Sequence, residues 1–287
     1  MDYRVTANAI KALKIQGAQQ IALAGAKSLS CCKSLGELKG AAALLEASRP
    51  TEPSLRNALG FILSGCTRAN LQRQLKDKVA HVEDYFEKAN LEIATCGARL
   101  IKQGFVVFTH CHSSAVMGIL LTAKHNTTKF IVHNTETRPF FQGRITAKEL
   151  AMEKIEVVHF VDSAARQALK KADLMLVGAD AITSEGFVVN KVGTEMYAEV
   201  ANSYQIPVYV CTPSWKFDGK TRFGFEVELE ERYSKEVWDK PPRGVRISNV
   251  VFDKTHPRLI TGVVSEFGVT TLTDFIDQVK NTYEWIV

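Results

Sequence analysis

One stretch of the chain, residues 104–118, constrains the fold more than any other. It starts with Gly104 and a short apolar run rich in valine and phenylalanine, changes to the polar sequence Thr-His-Cys-His-Ser-Ser, and continues with residues that suit a helix. An apolar run of this kind is typical of a strand that is buried on both faces of a parallel sheet. The stretch therefore predicts a strand, a polar turn and a helix, the arrangement at which open α/β sheets bind ligands.

Cys111, in the middle of this turn, is the first candidate for chemistry. The start of the following helix favours a negative charge, so one interpretation is that the pKa of the Cys111 thiol is lowered. The other interpretation is structural, because a free cysteine is most often a small buried apolar side chain. The flanking residues His110 and His112 do not suggest a metal site. In an extended chain they face away from Cys111, and no second Cys/His cluster supplies further zinc ligands.

The first third of the chain is predicted to be helical. From residue 2 to about residue 97, alanine, leucine, lysine and glutamine dominate, and the alternating β-branched pattern of strands is scarce. We predict helices over residues 7–29, 34–48, 55–64 and 69–96, with Ser54 as the cap of the third. Gly17 interrupts the first of them. Residues 16–19 are therefore either irregular backbone that approaches something else or a helix break without consequence.

The rest of the chain alternates between strands and helices. The predicted strands cover residues 105–109, 129–134, 156–161, 174–178, 208–212 and 259–264, and the helices cover residues 114–125, 147–154, 163–171 and 194–204. This alternation indicates βαβ units and a parallel sheet. The predicted fold class is α/β, with an N-terminal helical domain over residues 1–96 followed by a parallel-sheet domain over residues 97–287.

Several predicted strands end in short polar segments. These are residues 109–114, 135–138, 162–163, 178–180 and 212–216. Because the carboxyl ends of parallel strands meet at one edge of the sheet, we expect the segments to form a binding site there. The sequence contains neither the glycine-rich G-x-G-x-x-G motif nor a P-loop, so a dinucleotide or nucleoside triphosphate is poorly supported as the ligand.

The composition of the 287 residues narrows the classes of function. Hydrophobic residues make up 46% and charged residues 23%, which is enough for a real core. The net charge of +5 is mild, so we expect no nucleic-acid partner, although basic residues gathered in one cleft would suit a phosphorylated substrate. The six cysteines show no paired spacing, which favours reduced thiols and a cytoplasmic location. We expect neither a secretory leader nor a membrane span.

The polar motifs stand in an order that resembles a known family. They are residues 109–113 (THCHS), 135–139 (TETRP), 142–143 (QG), 145–147 (ITA), 162–165 (DSAA), 178–182 (GADAI), 190–194 (NKVGT), 252–253 (FD) and 255–257 (THP). On these motifs the chain resembles the superfamily that unites the alpha, beta and delta regulatory subunits of initiation factor 2B with sugar-1-phosphate isomerases. Within it, the chain is most similar to the archaeal ribose 1,5-bisphosphate isomerases.

The resemblance implies a Rossmann-like second domain and assigns roles to individual residues. Cys111 and Asp180 match the catalytic pair of the isomerases. The residues that it implies for substrate binding are Gln16, Gly17, Ala18, Gln19, Arg49, Ser113, Arg138, Gln142, Asn190, Lys191 and Lys216. One departure stands out: the isomerases have Arg-Gly-Ala-Gly where this chain has Gln-Gly-Ala-Gln at residues 16–19, so a bidentate phosphate partner is lost.

The resemblance implies an aldose–ketose isomerase that converts ribose 1,5-bisphosphate into ribulose 1,5-bisphosphate in nucleoside and AMP degradation, with no metal or organic cofactor. Asp180 in a dry crevice would have a raised pKa and keep a proton for the ring oxygen, while Cys111 would remove or relay the other proton.

Two alternatives remain open from the sequence. One is an isomerase of another pentose 1-phosphate such as methylthioribose 1-phosphate, and the other is a non-catalytic regulatory subunit whose partner is initiation factor 2. The family's habit of pairing and the apolar stretch at residues 263–275 imply a homo-oligomer, either a dimer or a trimer of dimers.

Overall fold

The computed structural model describes residues 2–225 and 230–286, and its N-terminal third is helical as predicted. The helices are α1 (Tyr3–Lys11), α2 (Ala18–Ser28), α3 (Leu35–Ser48), α4 (Pro53–Leu63) and α5 (Leu71–Ala98). The single helix predicted over residues 7–29 is in fact α1 and α2. The chain breaks between them, and Gly17 precedes α2 with a φ of 84°, a conformation that favours glycine.

Local sequence sets the ends of these helices. The Ser34 hydroxyl caps α3 by accepting a hydrogen bond of 3.2 Å from the N–H of Glu37. Helix α4 begins at Pro53, where the first helical position needs no N–H donor. The prediction that Ser54 caps this helix is wrong, because Ser54 lies buried in the first turn and Glu52 occupies the cap position.

In the described residues, the second part of the chain contains the strands and five further α-helices. The strands are β1 (Val106–Thr109), β2 (Ile131–Thr135), β3 (Glu156–Phe160), β4 (Leu174–Val177), β5 (Ala181–Thr183), β6 (Val188–Lys191), β7 (Val208–Cys211), β8 (Phe217–Asp218), β9 (Phe252–Thr255), β10 (Gly262–Ser265) and β11 (Gly268–Thr270). The helices are α6 (Ser114–His125), α7 (Gln142–Met152), α8 (Ala165–Leu169), α9 (Thr194–Ser203) and α10 (Leu272–Thr282). All six predicted strands are present.

Seven strands form the main sheet in the order β3-β2-β1-β4-β7-β10-β11. All neighbouring pairs are parallel except β10 and β11, which run antiparallel. The first six strands of this order follow the Rossmann pattern, in which the strand order reverses beside the first strand. The reversal lies between β1 and β4, so the crevice expected to bind a ligand opens beyond their carboxyl ends. The predicted Rossmann-like fold class is confirmed.

A second sheet of four short strands, in the order β8-β5-β6-β9, was not predicted. Strand β5 is antiparallel to β6 and parallel to β8, and β6 is antiparallel to β9. The chain enters this sheet directly after β4, which places the end of β6 near the crevice of the main sheet.

The helical part and the sheet share packed interfaces. Helix α5 lies against α6, and the close approach depends on Gly97, where an added Cβ would lie 2.4 Å from a methyl carbon of Ile119. Ile93 of α5 is buried in the same apolar cluster as Val107 of β1. The division into domains at residues 96 and 97 stays a prediction, and α5 crosses it.

Among the described residues, we find no helix with both the length and the apolar character that a membrane crossing requires. All six cysteines are free thiols. The cytoplasmic location stays a prediction.

Candidate active site

The carboxyl ends of β1, β4 and β7 bring several of the predicted residues to one edge of the main sheet. Cys111 follows β1, Asp180 follows β4, and Lys216 follows β7. Lys191 joins them from the end of β6 in the second sheet. We call these four residues, together with Arg49 and Glu52 described below, the strand-end cluster.

The backbone around Cys111 is held firmly on both sides. Cys111 adopts a positive φ of 68°, its N–H donates to the Thr137 hydroxyl at 3.1 Å, and its carbonyl accepts from the Thr146 hydroxyl at 2.9 Å. Ser113 caps α6 by accepting from the N–H of Val116 at 3.4 Å. These contacts fix the Cys111 backbone at the mouth of the crevice.

Gly178 keeps β4 close to this turn. An added Cβ at Gly178 would lie 2.7 Å from the Ser113 hydroxyl oxygen, so any larger residue would push against the cap of α6. The close approach explains why glycine stands between β4 and Asp180.

The thiol of Cys111 does not have the lowered pKa that the sequence suggested. Burial raises the pKa of Cys111 to about 11, and the charges of Asp180 and Asp162 act in the same direction. Lys191 and the N–H of His112 lower the pKa, but their effect is smaller than that of burial. Cys111 is therefore a thiol, and not a thiolate, near neutral pH.

The two histidines beside Cys111 make hydrogen bonds within the protein. His110 Nε2 lies 3.0 Å from the carbonyl oxygen of Val192, and Nδ1 lies 2.7 Å from the Thr135 hydroxyl. Because a carbonyl can only accept, Nε2 carries the hydrogen and Nδ1 accepts from the hydroxyl. Burial lowers the pKa of His110 to about 4, so the ring is neutral at pH 7.

His112 is held separately, with Nδ1 3.0 Å from the Thr146 hydroxyl. Across residues 2–225 and 230–286, no group of three or more His, Cys, Asp or Glu side chains is arranged to hold a metal ion.

Asp162 positions the loop that carries Thr137. Its carboxylate accepts from the N–H of Thr137 at 2.8 Å and from the N–H of Arg138 at 2.7 Å. The Tyr197 hydroxyl donates to the carbonyl of Asp162 at 2.9 Å. Since the Thr137 hydroxyl accepts from Cys111, Asp162 acts on Cys111 through one intermediate residue.

The Arg138 side chain points away from this contact. Its guanidinium donates to the carbonyl of Val237 at 3.0 Å, and the residue lines a cavity of about 280 Å³ with Pro139, Val192, Val237, Ser248, Asn249 and Val250. The described contacts do not join Arg138 to the cluster, so its substrate role stays a prediction.

Lys216 contacts the residue that precedes Asp180. The Lys216 ammonium group donates to the carbonyl of Ala179, the residue before Asp180. The charge of Asp180 raises the pKa of both Cys111 and Glu52, so Asp180 lies within electrostatic reach of both side chains. The cluster therefore continues from Cys111 through Asp180 to Glu52.

Lys191 and Asn190 enter the site from β6. Lys191 is buried, with its ammonium nitrogen 5.4 Å from the centre of the Phe252 ring. Its charge lowers the pKa of Cys111, which places it near the thiol. Asn190 is also buried and donates to the Thr194 hydroxyl at 3.0 Å.

Arg49 and Glu52 complete the cluster from the helical part of the chain. Arg49 at the end of α3 forms an ion pair of 2.8 Å with Glu230, while its buried Nε has no hydrogen-bond partner in the described part of the chain. Glu52 was not predicted. The sequence gives it one weak signal, a charged residue directly after the Arg-Pro-Thr motif at residues 49–51.

A network around Glu266, also missed from the sequence, holds the segment that carries Lys216. Glu266 accepts from the Tyr85 hydroxyl at 2.7 Å and from the N–H of Ser214 at 3.0 Å. The N–H of Trp215 donates to the Tyr85 oxygen at 3.1 Å, and the two rings stack with their centres 3.9 Å apart. Glu266 follows β10, so the same sheet edge that presents the cluster also supports it.

The predicted residues at the start of α2 lie apart from these contacts. Gln16 is exposed and donates to the carbonyl of Leu13 at 2.8 Å, and Gln19 accepts from the side chain of Asn90 at 2.9 Å. Gly17 is exposed and Ala18 is buried. Between residues 16–19 and the cluster, the described residues show no hydrogen bond or ion pair, so their substrate role stays a prediction.

Gln142 is the first residue of α7. Its Oε1 is buried without a hydrogen-bond partner among the described residues. The role predicted for it in substrate binding is likewise untested.

Comparisons with known proteins agree on one family. The sequence matches the model of the initiation factor 2 subunit family over residues 5–272. It is 35% identical to the ribose 1,5-bisphosphate isomerase of Pyrococcus furiosus, covering 97% of this chain and 93% of that protein. It is 36% identical to the putative translation initiation factor eIF-2B subunit 2-like protein of the same organism, covering 89% and 91%. The solved translation initiation factor eIF-2B of Pyrococcus horikoshii superposes with a TM-score of 0.82 at 30% identity, covering 94% and 96%.

Proposed function

The chain belongs to the initiation factor 2 subunit family, and we propose that within this family it is an aldose–ketose isomerase that converts ribose 1,5-bisphosphate into ribulose 1,5-bisphosphate. The observation that carries the proposal is the placement of Cys111 and Asp180 beside the cationic side chains of Lys191 and Lys216 where the strand order reverses. A proton-transfer pair beside cations suits a phosphorylated sugar.

The reaction requires two proton transfers besides the movement of hydrogen from C2 to C1. As the bond between C1 and the ring oxygen breaks, the ring oxygen gains a proton and the C2 hydroxyl loses one. This balance holds whether hydrogen crosses as a proton through an enediolate or as a hydride. No metal or organic cofactor is needed for either route.

The raised pKa of Cys111 supports it as the group that gives the proton to the ring oxygen, because the thiol still holds its proton near neutral pH. Asp180 then takes the proton of the C2 hydroxyl. This assignment reverses the roles that the sequence suggested for the two residues.

The phosphate groups of the substrate would lie against Lys191, Lys216 and Arg49. Arg49 has an unpartnered buried Nε among the described residues, and its guanidinium can form two parallel hydrogen bonds to a phosphate. Asn190, next to Lys191, would orient a sugar hydroxyl.

The direct test is to incubate the purified protein with ribose 1,5-bisphosphate and follow ribulose 1,5-bisphosphate by phosphorus NMR. We expect turnover by the wild-type protein and loss of turnover in Asp180→Asn. Conversion of methylthioribose 1-phosphate alone would keep the reaction class and change the substrate. Absence of turnover with every pentose 1-phosphate offered would overturn the proposal.

A regulatory role is the second candidate, and two observations favour it. By the resemblance in sequence, Gln16 stands where the isomerases carry a phosphate-binding arginine, and the chain is 36% identical to a relative named as a putative initiation factor subunit. Binding of purified initiation factor 2 at micromolar concentration, together with no turnover, would support this role.

We further propose that the protein forms a homo-oligomer, a dimer or a trimer of dimers. Large apolar side chains are exposed on α7 and around the edge strand β3, among them Ile145, Met152, Val158 and Val161. Met152 is 72% exposed. The stretch at residues 263–275 supports the proposal less than expected, because Val263, Val264 and Phe275 are buried within the subunit. Analytical ultracentrifugation at micromolar concentration tests it, and a monomer alone would refute it.

A further inference from the structure

Glu52 is a buried carboxyl group with one oxygen that has no hydrogen-bond partner in the described part of the chain. The residue is 5% exposed, its Oε1 makes no hydrogen bond, and no ion pair involves it. A buried carboxyl group in this condition is costly unless it is protonated or bound by another group. Nothing in the mechanism described above uses Glu52.

The fold holds Glu52 beside Lys216. Glu52 occupies the position before α4, and in the first turns of this helix the Asn57 side chain donates to the carbonyls of Trp215 at 2.8 Å and Phe217 at 2.9 Å. These two bonds join the start of α4 to the segment that contains Lys216. Because the Lys216 ammonium group reaches the carbonyl before Asp180, Glu52 lies on the same side of the crevice as the proposed catalytic pair.

Three charged residues face Glu52 from three different elements: Arg49 at the end of α3, Asp180 after β4 and Lys216 after β7. Burial raises the pKa of Glu52 to about 8, and the charge of Asp180 adds to this effect. The charges of Lys216 and Arg49, and the N–H of Ser54, lower the pKa but do not cancel the rise. At neutral pH the group is therefore mostly protonated.

We propose that Glu52 is a substrate-recognition residue, which donates a hydrogen bond from its protonated carboxyl group to an anionic oxygen of the bound sugar phosphate. The identity of the sugar rests on the proposed function, whereas the recognition of an anion rests only on the geometry around Glu52. Phosphate oxygens are acceptors, so a protonated carboxyl group between two cations adds a donor there. An ionised carboxylate at the same place would repel the phosphate.

The hydrogen bond from Glu52 couples anion binding to protonation of this carboxyl group. An anion beside Glu52 favours the protonated form, so the complex keeps the proton to higher pH than the unbound protein does. Well below pH 8, Glu52 therefore gives the affinity no pH dependence, and as the pH rises through 8 the affinity falls by up to tenfold for each further pH unit.

The test measures binding of sulfate, whose charge does not change near neutral pH, by isothermal titration calorimetry. For the wild-type protein we expect the Kd at about pH 9 to be about tenfold weaker than at about pH 7. Glu52→Gln keeps a neutral donor, so most of this weakening should disappear. Glu199→Gln, at an exposed glutamate paired with Arg258, is the matched control and should keep it.

A second measurement needs no variant. Sulfate titrations at about pH 8.5 in two buffers of different ionisation enthalpy report how many protons the wild-type protein takes up on binding. We expect net uptake, and zero uptake would overturn the inference even if Glu52→Gln fails to fold. An unchanged pH dependence in a folded Glu52→Gln variant would overturn it as well.

The outcomes also separate this inference from the proposed function. Proton-linked sulfate binding without turnover of ribose 1,5-bisphosphate would keep the inference and remove the isomerase. Turnover with a KM that does not change between about pH 7 and about pH 9 would keep the isomerase and remove the role of Glu52.

Discussion

The two sides of the strand-end cluster differ in how their polar groups are satisfied. On the Cys111 side, the N–H of Cys111 donates to the Thr137 hydroxyl, and the N–H of Thr137 donates to the Asp162 carboxylate. On the Glu52 side, Arg49 Nε and Glu52 Oε1 are buried and have no partner within the described ranges. The backbone of Cys111 is thus held by the protein itself, whereas Arg49 Nε and Glu52 Oε1 could still form hydrogen bonds to a ligand.

This difference suggests a division of work. A group that transfers a proton must be held in place before the substrate arrives, because reorganisation during the reaction raises the barrier. A group that binds an anion gains affinity when the ligand itself supplies the missing hydrogen bonds. We therefore expect substitutions on the Cys111 side to lower kcat and substitutions on the Glu52 side to raise KM.

The largest effect is expected for the proposed catalytic pair. Cys111→Ser replaces a thiol by a much weaker acid, and Asp180→Asn removes the proton acceptor. Each should lower kcat by about 10²–10⁴-fold, the usual contribution of a general acid or base. The double variant should lose much less than the product of the single effects, because the pair serves one transition state.

Steady-state kinetics beside a melting curve for each variant test this prediction. A folded Cys111→Ser protein with nearly normal kcat would remove the catalytic assignment and leave a binding protein. The pH profile gives a further check. Because the pKa of Cys111 is raised to about 11, loss of the donor proton should not limit the rate until the pH approaches that value.

Substitution of Asp162 tests whether kcat depends on the hydrogen bonds that hold the backbone near Cys111. Asp162→Ala leaves the N–H groups of Thr137 and Arg138 without their acceptor, and the loss at the partly buried N–H of Thr137 should cost about 1–3 kcal/mol. We expect a lower free energy of unfolding and a kcat reduced by about tenfold, with KM little changed. Asp162→Asn keeps one acceptor oxygen and should recover part of both losses. A larger change in KM than in kcat would contradict the division of work.

Much of the fold was predictable because it depends on local patterns. The apolar runs of β1, β2 and β4 are long enough to be recognised, and the small polar residues after them locate the sheet edge. The second sheet was missed because its strands have two to four residues, as in Phe217–Asp218, which is too short for any periodicity.

The site was less predictable, because its chemistry depends on contacts between distant residues. The identity of Cys111 came from a motif, but its raised pKa comes from burial, which outweighs the helix that follows. Glu52 has almost no local signal. Its environment is set by Asp180 and Lys216, which the fold brings beside it from elsewhere in the sequence.

The raised pKa of Glu52 also predicts that the stability of the folded protein depends on pH. Its pKa is about 8 in the folded protein and near 4.5 when the chain is unfolded, so the fold is destabilised as the pH rises from about 4.5 to about 8. Glu52→Gln does not titrate. Its melting temperature relative to wild type should therefore increase from about pH 5 to about pH 8, by at least about 2 °C. A constant difference would show that Glu52 is ionised in the folded protein.

The smallest effect is expected at Gln16, which lies outside both sides of the strand-end cluster. Gln16 is exposed and bonds only to the nearby carbonyl of Leu13 among the described residues, so replacing it breaks little structure. Gln16→Arg adds a positive charge at the position for which the resemblance implies an arginine in the isomerases. If residues 16–19 contact a phosphate of the substrate, that charge binds ground state and transition state alike, so KM should fall a few-fold while kcat stays unchanged. Gln20→Arg, at an exposed neighbour on α2, adds the same charge and should leave KM unchanged. Equal effects of the two variants on KM would indicate that any added positive charge attracts the anionic substrate, and added salt would abolish such an effect. That outcome would remove residues 16–19 from the substrate site.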